Sequence, residues 1–163
     1  MSNYDQMITH PITLLQAINE NIEGVQSAPM LVPNNYSSAK MPLALTWESQ
    51  GETRGQVGSA QTQRNFAIEV MVKPSTVGIV PANFQDTRTL LGRFMDTYLA
   101  LYNDASDHVL DYGLESGIRV QIDKSKPIVD SGADSAMEVL PEVYYYGFRI
   151  SIPLIIEWGS ELL

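Results

Sequence analysis

The chain has no cysteine. That excludes disulfides, thiolate zinc sites and cysteine nucleophiles. It fits a protein made in a reducing cytoplasm that works elsewhere, although a chain of 163 residues also lacks cysteine by chance. Basic residues are scarce: 10 Lys and Arg stand against 19 Asp and Glu, a formal net charge of −9. Such a chain does not hold phosphates by counterion release, so ordinary nucleic-acid binding is disfavoured. The same charge suits solubility, or a surface that DNA must pass without sticking. No apolar run approaches the roughly 20 residues of a membrane span. Residues 1–11, MSNYDQMITHP, have no basic n-region and no apolar h-region, so no secretory signal is expected.

Motifs of chemistry are also sparse. The two histidines, His10 and His108, have no second histidine nearby in sequence, and both are expected as solvated cap or loop residues. No serine sits in a G-x-S-x-G setting, so hydrolase chemistry has no support. Gly51, Gly55 and Gly58 lack the Gly-Lys-Ser/Thr end of a P-loop, and a strand rather than a helix follows them. Two acidic runs, Asp104, Asp107, Asp111 and Asp130, Asp134, Glu138, lack the ligand spacing of an EF-hand loop and read as solvated loops.

What is present is one long alternating stretch, Val143 to Trp158. Tyr144, Tyr146, Phe148, Ile150, Ile152, Leu154, Ile156 and Trp158 share one face at period two, which predicts a β-strand buried on that face. Gly147 and Pro153 oppose a helix. The opposite face carries Tyr145, Pro153 and Ile155. It is less polar than a solvent face and, with Ala67 and Met71, suggests partial cover by another subunit. Pro153 lacks an N–H, which suits an edge or a bulge.

Along the rest of the chain, residues 1–10 read as a loose polar arm. Pro11 heads a helix with Ile12, Leu15, Ile18 and Ile22 on its stripe, to about Glu23, with Gly24 as its stop. Residues 25–42 read as a connector, with a short extended piece at Met30 to Val32. Strands are expected at 43–48 and 64–73, pairing antiparallel across a flexible glycine-rich loop, 51–63. Asn83, with Asp86 as its capping-box partner, starts a helix from Phe84 to about Tyr102, whose stripe is Leu91, Phe94, Met95, Tyr98, Leu99 and Tyr102. A third strand is expected at 118–122. A second long loop spans 125–141, with room for a short strand at Met137 to Leu140. The expected fold is one α+β domain over 1–163: an antiparallel or mixed sheet of about four strands, with two helices packed on one face.

In this order of elements the chain resembles the tail terminator proteins of long-tailed bacteriophages and the related tail-completion and neck proteins. The resemblance rests on the helix headed by His10-Pro11, the strand pair 43–48 and 64–73 with its polar loop, and the helix 84–102. It also rests on Tyr145-Tyr146-Gly147 leading into a strand that ends Ile156-Glu157-Trp158. It implies a non-enzymatic virion protein without a cofactor, made in the host cytoplasm. Such proteins form rings, usually hexamers, with heterologous contacts. The ring caps the tail tube, receives the head connector, and lets DNA through its lumen. The partners implied are further copies of the chain, the tube protein and the connector protein, with no membrane. The candidate interface residues are Arg54, Gln56 and Val57 in the first loop and Tyr145, Pro153 and Ile155 on the long strand. Loops 51–63 and 125–141 are the candidate contacts with tube or connector. Three other readings compete: another neck or minor tail protein, a small metal-dependent enzyme using the acidic runs, and a transient assembly adaptor.

Overall fold

A computed structural model describes residues 2–29, 40–75, 81–133, 136–140 and 143–159. Two helices, α1 (Asn3–Glu20) and α2 (Pro81–Asn103), accompany seven strands. These are β1 (Leu43–Gln56), β2 (Ser59–Ser75), β3 (Val109–Asp111), β4 (Ile118–Ile122), β5 (Val129–Asp130), β6 (Ala136–Leu140) and β7 (Val143–Gly159). The strands form one sheet in the order β1-β2-β7-β4-β3, with β5 and β6 also paired to β7. Every ladder is antiparallel. The α+β class therefore holds, with more strands than the sequence led us to expect. The extra ones, β3 and β5, are three and two residues long and too short to display a period of their own, whereas β6 falls where a short strand at Met137 to Leu140 was expected.

The long alternating stretch is the centre of the sheet. On one side β7 pairs with β2 from Ser59↔Gly159 to Ser75↔Tyr144. On the other it is flanked in tandem by β4, β5 and β6. Its even face is the core: Tyr146, Phe148, Ile150, Ile152, Leu154 and Ile156 are all buried. Phe66, Ile68 and Val70 of β2 lie beside them and are fully covered.

Both helices lie over this face. Leu90, Phe94 and Tyr98 of α2 are buried against it, with the Phe94 and Phe148 rings edge to face at 5.4 Å. The stripe of α2 is rotated slightly from expectation: Leu90 joins the core, whereas Leu99 is 39% exposed. α2 also begins earlier, with Pro81 at its first position, a place where a missing N–H costs nothing. Asn83 is therefore inside the helix, and Asp86 pairs with Lys73 at 2.7 Å instead of completing a capping box.

The N-terminal arm is helical, not loose. Ser2 caps α1: its hydroxyl accepts from the Asp5 N–H, and the Asp5 carboxylate accepts from the Ser2 N–H at 3.0 Å. This reciprocal cap starts the helix eight residues before Pro11, which sits buried in its interior. Met7 and Leu15 are the fully buried anchors, and Ile22 packs from the turn beyond the helix.

The loop expected at 51–63 is also structured. The β1–β2 ladder runs through it to the pair Gln56↔Ser59, closed by the two-residue turn Val57-Gly58 with Gly58 at φ +78°. Backbone hydrogen bonds and polar cross-strand contacts, such as Thr53 to Thr62 at 3.0 Å, hold a hairpin that has few apolar side chains to announce it. A bulge sets Ser49 and Gln50 against Asn65 alone, and Gly51 follows it. A Cβ on Gly51 would lie 2.2 Å from the Arg64 Cβ and 2.7 Å from the Gln63 carbonyl oxygen, so only glycine fits. The loop expected at 125–141 contains β5 and β6. The extended piece expected at Met30 to Val32 lies outside the described residues.

Candidate functional site

Three residue sets bear on function: a polar cluster that joins distant parts of the chain, the second face of the sheet, and the β1–β2 hairpin.

The polar cluster is His10, Asp111 and Ser116. The α1 helix carries His10 to the end of β3, where its Nε2 lies 2.7 Å from Asp111 Oδ2. A helix-cap role is thus replaced by a pair 101 residues apart in sequence, a separation that no local pattern could reveal. Asp111 also accepts from the Gly113 N–H at 2.7 Å and from the Ser116 hydroxyl at 3.1 Å. Burial pushes the Asp111 carboxyl up, but the Gly113 N–H, His10 and Ser116 together outweigh it and hold it below its ordinary range. The three residue types are those of a nucleophilic triad, yet the connectivity differs. Ser116 reaches the carboxylate rather than the imidazole, so no base stands ready to take its proton. The arrangement acts as a clamp between α1 and the β3–β4 connection.

The acidic runs do not converge. The Asp104 carboxylate accepts from the backbone N–H groups of Asp107 and Ser106 and from the Ser106 hydroxyl, contacts that hold its carboxyl below the ordinary range. Asp111 is occupied with His10, and Asp130 accepts from the Gly132 N–H. Among the described residues no group of three His, Asp or Glu side chains is placed to hold a metal ion. Asp134 and the Glu138 side chain lie outside the described residues.

The second face of the sheet corrects part of the expected interface. Tyr145 is 4% exposed and packs with Leu43, Leu45 and Met71 in a small second core, with Met41 and Trp47 at its margin. It offers no surface to a partner. Pro153 is also buried, and it occupies neither an edge nor a bulge: it pairs with Asn65 in an uninterrupted stretch of the β2–β7 ladder. The physical reason lies on its other side. Its carbonyl accepts from the Asp123 N–H at 2.8 Å, so in extended backbone its nitrogen points the same way, into the junction where β4 ends at Ile122↔Leu154 and β5 begins at Val129↔Ser151. A missing donor is tolerated there. Ile155 remains half-exposed between Gln63 and Gln121. Farther along, Glu69 and Arg149 pair at 2.9 Å; burial pushes the Glu69 carboxyl up more than the guanidinium pulls it down.

The hairpin keeps its candidates at the surface. Arg54 is exposed, and Val57 is fully exposed at the turn. The Gln56 side chain lies outside the described ones. Among the described residues, the segment after α1 meets the outer edge of β1 at its start, where Ser27 bridges Leu43 and its carbonyl accepts from the Ala44 N–H at 3.0 Å. From Leu45 to Gln56 no strand pairs with that edge among the described residues. Such an edge is a template for another chain.

No helix among the described residues is long and apolar enough to cross a membrane. Neither a scan of protein-family models nor a search of curated proteins returns a match.

Proposed function

We propose that this chain is a non-enzymatic structural subunit of a long-tailed bacteriophage particle. In this reading it is a tail terminator: copies join in a ring, the ring caps the finished tail tube and receives the head connector, and DNA passes through the lumen. The observation that carries the reading is the long β1 edge, unpaired from Leu45 to Gln56 among the described residues, on a hairpin whose turn presents a fully exposed valine. An edge of that length on a monomer is a liability, whereas in a subunit of a larger assembly it is a joint. The charge of −9 agrees with a channel that DNA must traverse without being held.

The test is to add the purified chain to tail tubes that lack their terminal ring and to view them by negative-stain electron microscopy. A ring of density at one end of each tube is the expected result. Bare tube ends at saturating protein would sink the reading.

A further inference from the structure

The tip of the hairpin has a counterpart elsewhere on the molecule. An open groove of about 400 Å³ lies at the opposite edge of the sheet, beside β3. Its walls are mostly apolar, Leu14, Ala17 and Ile18 of α1, Leu101 of α2, and Val109 and Leu110 of β3, with Asn21 just beyond α1 as a polar member. Asp107 stands at its rim. The tip is the reverse in shape and in charge. Val57 projects from a two-residue turn, and Arg54 lies three residues away, exposed and without an ion pair among the described residues.

We propose that Val57 of one copy seats in this groove on the next copy, with Arg54 meeting Asp107 across the contact. The proposal rests on the ring reading and names the joint that closes the ring. Knob and groove belong to opposite ends of the strand order, β1–β2 at one end and β3 at the other. At about 4.8 Å per strand the two edges are roughly 20 Å apart, so knob and groove are separate patches and one copy can offer its knob to one neighbour while it receives that of another. That is a heterologous contact, the kind that closes rings when the rotation allows. Rigidity favours it: β2 is locked to β7 as far as Ser59↔Gly159, so little freedom is lost when the tip docks. Charge favours it too. Copies that each carry −9 repel one another, and an arginine placed on an aspartate offsets part of that repulsion.

The absence of cysteine supplies a clean test. The paired substitutions Val57→Cys and Ala17→Cys, both at exposed positions, place one thiol on the knob and one on the groove wall. Mild oxidation of the full-length double variant is expected to give a ladder of covalent multimers ending in a closed species. Ala17→Cys alone should stay uncrosslinked and Val57→Cys alone should stop at dimers. In parallel, Val57→Asp should raise the concentration for half-assembly by about tenfold or more, with an unchanged circular dichroism spectrum. Arg54→Asp should weaken assembly likewise, and adding Asp107→Arg should restore it. If rings form while the double variant crosslinks no more than its single parents, the joint is wrong and the ring reading stands. If the wild-type chain is monomeric and leaves tube ends bare, both fail. If Val57→Asp abolishes binding to tubes but not ring formation, the tip contacts the tube and the proposed joint is overturned.

Discussion

At the residue scale, a buried relay ties three elements together. The Tyr98 hydroxyl of α2 donates to Asn19 Oδ1 of α1 at 2.6 Å, and Asn19 Nδ2 donates to Thr46 Oγ1 of β1 at 3.3 Å. All three residues are buried, and burial pushes the Tyr98 phenol well above its ordinary range. Tyr98→Phe removes the donor and leaves Asn19 Oδ1 without it, so a loss of about 1–3 kcal/mol is expected in urea denaturation. Asp111 gives a second prediction. Its carboxyl is held below its ordinary range in the folded state, so the stability it contributes is present above the unfolded value and is lost as the pH falls through the folded one. Asp111→Asn should flatten the acid side of a stability-against-pH curve; an unchanged acid limb would contradict the clamp. Neither contact could be read from the sequence. Tyr98 falls on an apolar stripe whichever way its hydroxyl points, and His10 finds Asp111 only because the fold closes a gap of 101 residues.

At the element scale, β7 was legible because it is buried on one face along most of its length, which forces strict alternation. β4 was legible for the same reason, with alternate residues buried over Ile118–Ile122. The far half of the β1–β2 hairpin was not. Beyond the bulge it is held by ladder hydrogen bonds between polar residues, and its one structural marker is Gly51. Gly51→Ala forces a Cβ against Arg64 and the Gln63 carbonyl. A cost of about 1–3 kcal/mol is expected, with faster amide exchange across residues 52–62 than across 66–72. Uniform exchange along both halves would show that the bulge is not where strain is taken up. The start of α1 was missed because Pro11 looks like a first helical residue, whereas Ser2 and Asp5 had already begun the helix. Of the expected interface residues, Arg54 and Val57 stay on the surface because the hairpin turns there. Tyr145 and Pro153 do not, because the sheet has a second small core that period-two counting cannot distinguish from an interface.

At the scale of the whole molecule, the fold divides its surface by task. The helix-covered face of β7 carries the main core, and the His10–Asp111 clamp ties α1 to the β3 edge. The features that the ring reading uses are peripheral: the β1 edge, unpaired from Leu45 to Gln56 among the described residues, the Val57 tip and the groove beside β3. Under the proposed ring reading, these features are the contacts through which copies would join. The sequence hinted at this through its acidic charge and sparse chemistry, but the groove is assembled from α1, α2 and β3 and has no linear signature. The most direct measurement is the mass of the wild-type chain by native mass spectrometry and sedimentation velocity over a wide concentration range. The account predicts a single closed multiple of the 18.1 kDa subunit that dissociates on dilution and on Val57→Asp substitution. A monomer at every concentration, with or without tail tubes, would contradict it.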